Sequence, residues 1–245
     1  MRSTIESVCG LCVFAAFLGA ASPHGPDEGT LASGAPRIPE PMVYDLVRPL
    51  GAVKGELEIN SLFVRPLRRN RSLEWAPEIE YTFARGYGIE LEIPMEGSRQ
   101  ESWKAAIQGT IGLSHRGKTI HGWQALSERW SHEERGKVDL LYLTGTRWHN
   151  RWSTFTMLGH RLEAENNRRN AGLVWNQSVF FHRSKKLNIG LESNWAAPAV
   201  RNGYWLAVPQ VTWRKSRYNI QIGAGSRLAE KRIKPVAAWR ISREF

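Results

Sequence analysis

Cysteine is nearly absent: the 245-residue chain holds two, Cys9 and Cys12, both at its start. The rest carries no thiol, which excludes a disulfide framework and a cysteine metal site for the body of the protein. Long hydrophobic runs are missing too. Beyond Val8 to Phe17 no apolar stretch approaches the roughly 20 residues a helix needs to cross a bilayer, so spanning helices are excluded. Phosphate-loop chemistry is also missing, because Gly86-Tyr87-Gly88 lies in a hairpin context and not between a strand and a helix. Histidines His121, His132, His149, His160 and His182 are scattered without paired ligand spacing, so neither a metal nor a cofactor is expected. His182-Arg183-Ser184 is the one close His/Ser pair; it falls at a short turn, and no catalytic residue is assigned.

What is present begins with an export signal. Residues 1–22 combine Arg2, an apolar stretch, and the small residues Gly19, Ala20, Ala21 and Ser22, the layout of a cleavable signal peptide. Residues 23–51, with Pro23, Pro36, Pro39, Pro41 and Pro49, read as a Pro/Gly-rich segment preceding the main domain, either extended or folded as a short plug. Tryptophan appears 11 times in a chain of only 42% hydrophobic residues. Indoles settle at the boundary between hydrocarbon and headgroups, so this excess points to a membrane barrel rather than a soluble core.

From Gly55 to the last residue the hydrophobic period is two, and residues 52–245 read as the barrel domain. Leu73, Trp75, Ile79, Tyr81 and Phe83 alternate with Glu74, Glu78, Glu80 and Thr82, and Ile89, Leu91 and Ile93 continue against Glu90 and Glu92. Counting comparable runs predicts about twelve strands, most of about ten residues, the length of a tilted transmembrane strand. Links after even-numbered strands are short and those after odd-numbered ones longer, as in Pro66 to Ser72, Ser131 to Gly136, Glu163 to Asn170 and Ala196 to Gly203. That rhythm fits an all-β, antiparallel up-and-down transmembrane β-barrel better than a Greek-key sandwich. A three-residue turn at Gly86 is expected to set Ala84 opposite Glu90 and Thr82 opposite Glu92, keeping glutamates from facing one another. Eight tryptophans fall near strand ends as two girdles, while Trp123, Trp175 and Trp239 read as mid-strand and buried. The chain closes on an alternating strand ending in Phe245, the aromatic finish of a strand recognised by barrel-assembly machinery.

The stretches Pro41-Met-Val-Tyr-Asp-Leu-Val-Arg-Pro-Leu-Gly51, Gly55-Glu-Leu-Glu-Ile-Asn60 and Leu73-Glu-Trp-Ala-Pro-Glu-Ile-Glu-Tyr81 resemble uncharacterised envelope barrels similar to the transporter-like family associated with the meta-pathway of phenol degradation. The resemblance runs from Pro41 to Leu113 and implies an outer-membrane barrel with a role in passage of small molecules. It carries no catalytic residues.

Two constellations stand out. Glu56, Glu58, Glu74, Glu78, Glu80, Glu90 and Glu92 share the polar parity of the first three strands and are expected to line a lumen, with Lys104, Arg147, Arg227 and Arg240 as partners on later strands. Formal charge is +11, and basic residues gather at the short turns: Arg116, Lys118, Arg151, Lys185, Lys186, Lys215 and Arg217. Export and strand patterning argue against nucleic acid as their partner, leaving anionic lipid headgroups of the outer membrane. The expected function is a narrow channel or transporter for small solutes. The alternatives are a lipid-modifying hydrolase, using His182 and Ser184, and a structural barrel binding an envelope partner through Glu163 to Asn170 and the other long loops.

Overall fold

Successive strand residues point to opposite faces, so a chain that alternates Ile-Glu-Tyr over most of its length can satisfy both faces only if one is wet and the other is not. The computed structural model, which describes residues 34–44, 47–67, 72–149, 151–197 and 203–245, resolves that alternation into strands β1 (Leu57–Pro66), β2 (Glu74–Ala84), β3 (Tyr87–Glu92), β4 (Met95–Glu96), β5 (Arg99–Gln100), β6 (Ser102–Ser114), β7 (Thr119–Trp130), β8 (Arg135–His149), β9 (Trp152–Glu165), β10 (Arg168–His182), β11 (Leu187–Ala196), β12 (Tyr204–Lys215), β13 (Tyr218–Ala229) and β14 (Arg232–Glu244). β4 and β5 form a two-residue ribbon in the link after β3. The other twelve strands pair antiparallel in chain order, and β1 pairs with both β2 and β14, which closes the sheet into a barrel. The expected all-β barrel of about twelve strands is the fold observed. Among the described residues the one helical element is the 3-10 turn His115–Gly117.

The outer face is apolar and open. Ile79, Tyr81, Ile89, Leu91, Ile107, Leu140, Leu158, Ile222 and Ile241 are all exposed there, while Glu58, Asn60, Glu78, Glu80, Gln124, Asn176 and Gln210 are buried inside. Leaving one large apolar side chain in water forgoes about 1.5–3 kcal/mol relative to burying it. A belt of such residues around the whole barrel therefore suits hydrocarbon, not water.

The hydrophobic core lies inside the barrel, and the segment before β1 makes it. Residues 34–44 and 47–52 run through the bore as a plug, not as an extended lead-in. Ile38 and Leu50 pack on Ile120, Leu143, Phe155 and Met157, Met42 on Leu206, Val208 and Val236, and Val47 on Ala106 and Leu126. Inward glycines make room: a Cβ on Gly122 would stand 2.4 Å from Leu50 Cδ2, and one on Gly88 3.2 Å from Val47 Cγ1.

Three expectations are corrected. The β2–β3 connection is tighter than a three-residue loop. The backbone irregularity between Thr82 and Ala84 shifts the register, so that Thr82 faces Gly88, Glu80 faces Glu90 and Glu78 faces Glu92. The Gly86 N–H meanwhile donates to the plug carbonyl of Ala52. The glutamates are thus directly opposed, the reverse of what a regular three-residue loop would give. The expected loop from Glu163 to Asn170 is a two-residue turn between long strands: Asn166 and Asn167 take φ of 47° and 65°, values Asn tolerates, so pairing continues to Glu165 and Arg168. Trp123 and Trp175 are outward and 36% and 38% exposed, and Trp239 stacks on Phe63 of the outer face. No tryptophan of that trio sits in a core.

The Asn166-Asn167 turn yields a test. Replacing Asn167 by Val, which disfavours positive φ, should destabilise the barrel by about 1–2 kcal/mol, read as a lower denaturant midpoint in detergent. Asn167→Gly should leave the midpoint nearly unchanged.

Candidate functional site

The register that opposes the glutamates builds an acidic wall. Glu58, Glu80 and Glu90 form one row across β1, β2 and β3, and Glu78 and Glu92 form the next. All five are buried. Like charges this close and dry are unfavourable unless cations are brought to them. Three arrive from separate places in the sequence. Arg48 of the plug puts Nη1 2.7 Å from Glu58 Oε2 and 3.7 Å from Glu80 Oε2, and Nη2 3.2 Å from Glu56 Oε2. Arg240 of β14 puts Nη2 2.8 Å from Glu78 Oε2 and 3.9 Å from Glu80 Oε1, while its Nε donates to Asn60 Oδ1. Lys104 of β6 reaches Glu92 at 2.8 Å. Burial would draw the Arg48 guanidinium down, but Glu58 and Glu80 more than reverse that and hold it above its ordinary value. Burial, reinforced by Glu58, pushes the nearby Glu40 carboxyl up to about 7.

A second clasp grips the plug from the opposite wall. The Glu192 carboxylate of β11 accepts three consecutive backbone N–H groups, Met42 at 2.7 Å, Val43 at 3.0 Å and Tyr44 at 2.8 Å. This is an anion nest in which the protein's own side chain is the anion. Asn194 Nδ2 donates to the same carboxylate at 2.8 Å. Inward amides and one arginine hold the plug backbone: Gln108 Nε2 donates to Arg48 O, Gln221 Nε2 to Glu40 O and Arg147 Nη1 to Arg37 O.

Of the residues expected to line the lumen, Glu58, Glu78, Glu80, Glu90, Glu92, Lys104 and Arg240 come together inside. Glu56 stands at the edge of the cluster, 36% exposed and on Arg48. Glu74 is exposed at the long-loop end beside Glu96, outside the wall. Arg147 serves the plug backbone, and exposed Arg227 lies 4.3 Å over the Tyr204 ring. Of the basic turn residues, Arg116, Lys118, Arg151, Lys185, Lys186 and Lys215 are exposed and Arg217 is half-buried, all at the short-turn end. Ser184 does not meet His182; its Oγ accepts from the backbone of Lys186 and Leu187 and closes the turn. His182 instead contacts Ser153 and Asn188. Sequence reasoning missed Glu192 and Arg48. Glu192 was detectable as a lone carboxylate on the inward parity of its strand, whereas Arg48 lies in a segment without periodicity.

Arg240 bridges the two acidic rows, so removing it should be severe. Arg240→Met leaves Glu78 and Glu80 without that guanidinium, and breaking such a buried pair costs about 3–5 kcal/mol. Thermal unfolding of the purified barrel should show it, and adding Glu78→Gln should recover part of the loss.

A family model described as HAEPLYID-like matches residues 37–113, a stretch that takes in the plug from Arg37 and the strands that carry the acidic wall. No curated protein matches the sequence. Among solved structures the chain is similar to the NanC porin (9% identity, 76% of this chain and 97% of that one, TM-score 0.59). It is likewise similar to the KdgM porin in complex with disordered oligogalacturonate (10% identity, 77% and 98%, TM-score 0.56). A third similar structure is an outer membrane channel from Pseudomonas putida F1 (11% identity, 85% and 100%, TM-score 0.59). At these identities the likeness is one of fold: this chain folds as outer-membrane porins do, and carries a plug inside.

Proposed function

We propose that this protein is an outer-membrane channel for small solutes whose bore is closed by the plug, residues 34–44 and 47–52, and opens when that segment leaves. The supporting observation is the way the plug is held. Beside its apolar packing, its grip on the wall runs through two polar clasps, Arg48 on Glu58 and Glu80 and Glu192 on three amides. Polar clasps exchange readily for water, and withdrawal would leave a lumen lined by carboxylates and amides that small hydrophilic solutes can wet. In this reading residues 1–22, outside the described residues, are the export signal, and the strand ending at Phe245 engages the barrel-assembly machinery. The kinship with transporter-like barrels of the meta-pathway of phenol degradation belongs to the same proposal, as does passage of an oligosaccharide-sized solute like the one in the KdgM complex.

Orientation follows from charge. The short-turn end, ringed by Arg116, Lys118, Arg151, Lys185, Lys186, Lys215 and Arg217, faces the periplasm and rests on anionic phospholipid headgroups, each contact contributing about 1 kcal/mol. Reversing Lys118, Arg151, Lys185 and Lys186 to Glu should reduce retention on vesicles containing anionic lipid; equal retention would remove this orientation.

Planar-bilayer recording tests the channel itself. The full chain should be mostly silent, and Arg48→Ala with Glu192→Ala should give frequent openings with ohmic single-channel steps. Silence of both proteins across voltages and salts would contradict transport.

A further inference from the structure

We infer that Ser153, His182 and Asn188 form an acyl-hydrolase centre inside the lumen at the short-turn mouth. The three side chains come from consecutive strands, β9, β10 and β11, and Ser153 and Asn188 are buried on the inner face. Ser153 Oγ lies 2.9 Å from His182 Nε2, and His182 Nδ1 lies 2.8 Å from Asn188 Oδ1. An amide oxygen can only accept, so Nδ1 carries the ring proton and Nε2 keeps its lone pair toward the serine hydroxyl. That is the tautomer a general base needs, fixed by a third residue, the logic that serves nucleophilic serines on unrelated folds.

The surroundings supply the remaining parts. Arg147 faces Ser153 directly across the β8–β9 register, on the side away from His182. Arg214 stands on β12, beside the strand that carries Asn188, and its backbone N–H donates to Lys186 O. Arg214 Nε is buried and has no hydrogen-bond partner among the described residues. Arg147, across the register from the nucleophile, can hold a carbonyl oxygen as it becomes an oxyanion, and the further cation Arg214 on β12 favours an ester that also carries a carboxylate or phosphate.

The chemistry balances without a co-reactant other than water. Ser153 Oγ bonds to the acyl carbon as its proton passes to His182 Nε2, and the carbonyl electron pair moves to the oxygen beside Arg147. Collapse breaks the bond to the alcohol, which leaves with the proton from His182. Water then repeats the sequence, releasing the carboxylic acid and restoring the serine. Ser153 and His182 are the catalytic residues here, and Asn188 is a positioning residue. Ser153 is fully buried while the plug is seated, with plug residue Arg37 held by Arg147, so the centre is masked until the plug moves.

The test treats the full chain and Glu192→Ala, which loosens the plug, with a fluorophosphonate probe and with nitrophenyl esters of a dicarboxylic acid. The expected result is a Ser153 adduct by mass spectrometry, at least about tenfold stronger in Glu192→Ala. Ester turnover should fall at least about 100-fold in Ser153→Ala and in His182→Ala. Asn188→Ala should lower kcat and displace the pH profile, and Asn188→Asp should restore kcat; a structural contact would move neither. Each variant is checked for heat-modifiable migration. A Ser153 adduct that survives His182→Ala, or no adduct in either protein, overturns the proposal. If Glu192→Ala conducts but is not labelled, the hydrolase fails and the channel stands.

Discussion

The structure depends on one constraint: five carboxylates, Glu58, Glu78, Glu80, Glu90 and Glu92, are buried together on the inner wall and must be met by cations that their own strands do not supply. Arg48 comes from the plug, Arg240 from the last strand and Lys104 from β6. The acidic wall thereby ties together three operations of folding. Arg240 helps fix β14 against β1, where Glu58 faces Glu244 and Asn60 faces Ser242. Lys104 fixes the β3–β6 junction, where it faces Glu92. Arg48 draws the plug into the bore. Buried ion pairs give little net stability after desolvation, but losing one partner is expensive. Such a wall therefore enforces correct closure more than it adds to overall stability.

The second consequence concerns what fills the barrel. An up-and-down barrel in a membrane has its apolar surface outside, so an apolar core inside requires material from elsewhere. Here residues 34–44 and 47–52 bring Ile38, Met42, Val47 and Leu50 against inward patches on β6, β7, β8, β9, β12 and β14. The interior is thus amphipathic by sector. Five carboxylates and Arg48 crowd the β1–β3 side, while the wall facing it presents methyl groups and amides together with the Glu192 carboxylate. A segment held in part by charge and in part by packing can be seated firmly and still leave when its polar contacts are exchanged for water.

Much of this was legible in the sequence, because the period of two is a direct imprint of a two-faced sheet. The twelve-stranded barrel, the inward parity of Glu58, Glu78, Glu80, Glu90 and Glu92, the choice of Lys104 and Arg240 as cations on later strands and the tryptophans near strand ends all follow from parity and spacing. What escaped detection depends on tertiary geometry. The opposition of Glu80 to Glu90 rests on a backbone irregularity near Ala84, a one-residue event that alternation cannot reveal. The collapse of the Glu163–Asn170 link into a tight turn rests on two asparagines accepting positive φ, and polar composition alone reads there as loop. The plug has no periodicity because its residues answer to several walls at once. Ser153 and His182 are 29 residues apart, so only the pairing of β9 with β10 brings them together.

The most direct test of the central claim is a cross-link between plug and wall. Val47 packs against Gly88 on the inner face of β3, with a Cβ on Gly88 lying 3.2 Å from Val47 Cγ1. With Cys9 and Cys12 replaced by Ser, the pair Val47→Cys and Gly88→Cys should form a disulfide on mild oxidation of the membrane-extracted protein. The pair Val47→Cys and Ile89→Cys, whose second partner faces outward, should not. Efficient cross-linking of the first pair alone is the predicted result. Free thiols at both positions, or equal cross-linking of the two pairs, would contradict a plug seated against the acidic wall.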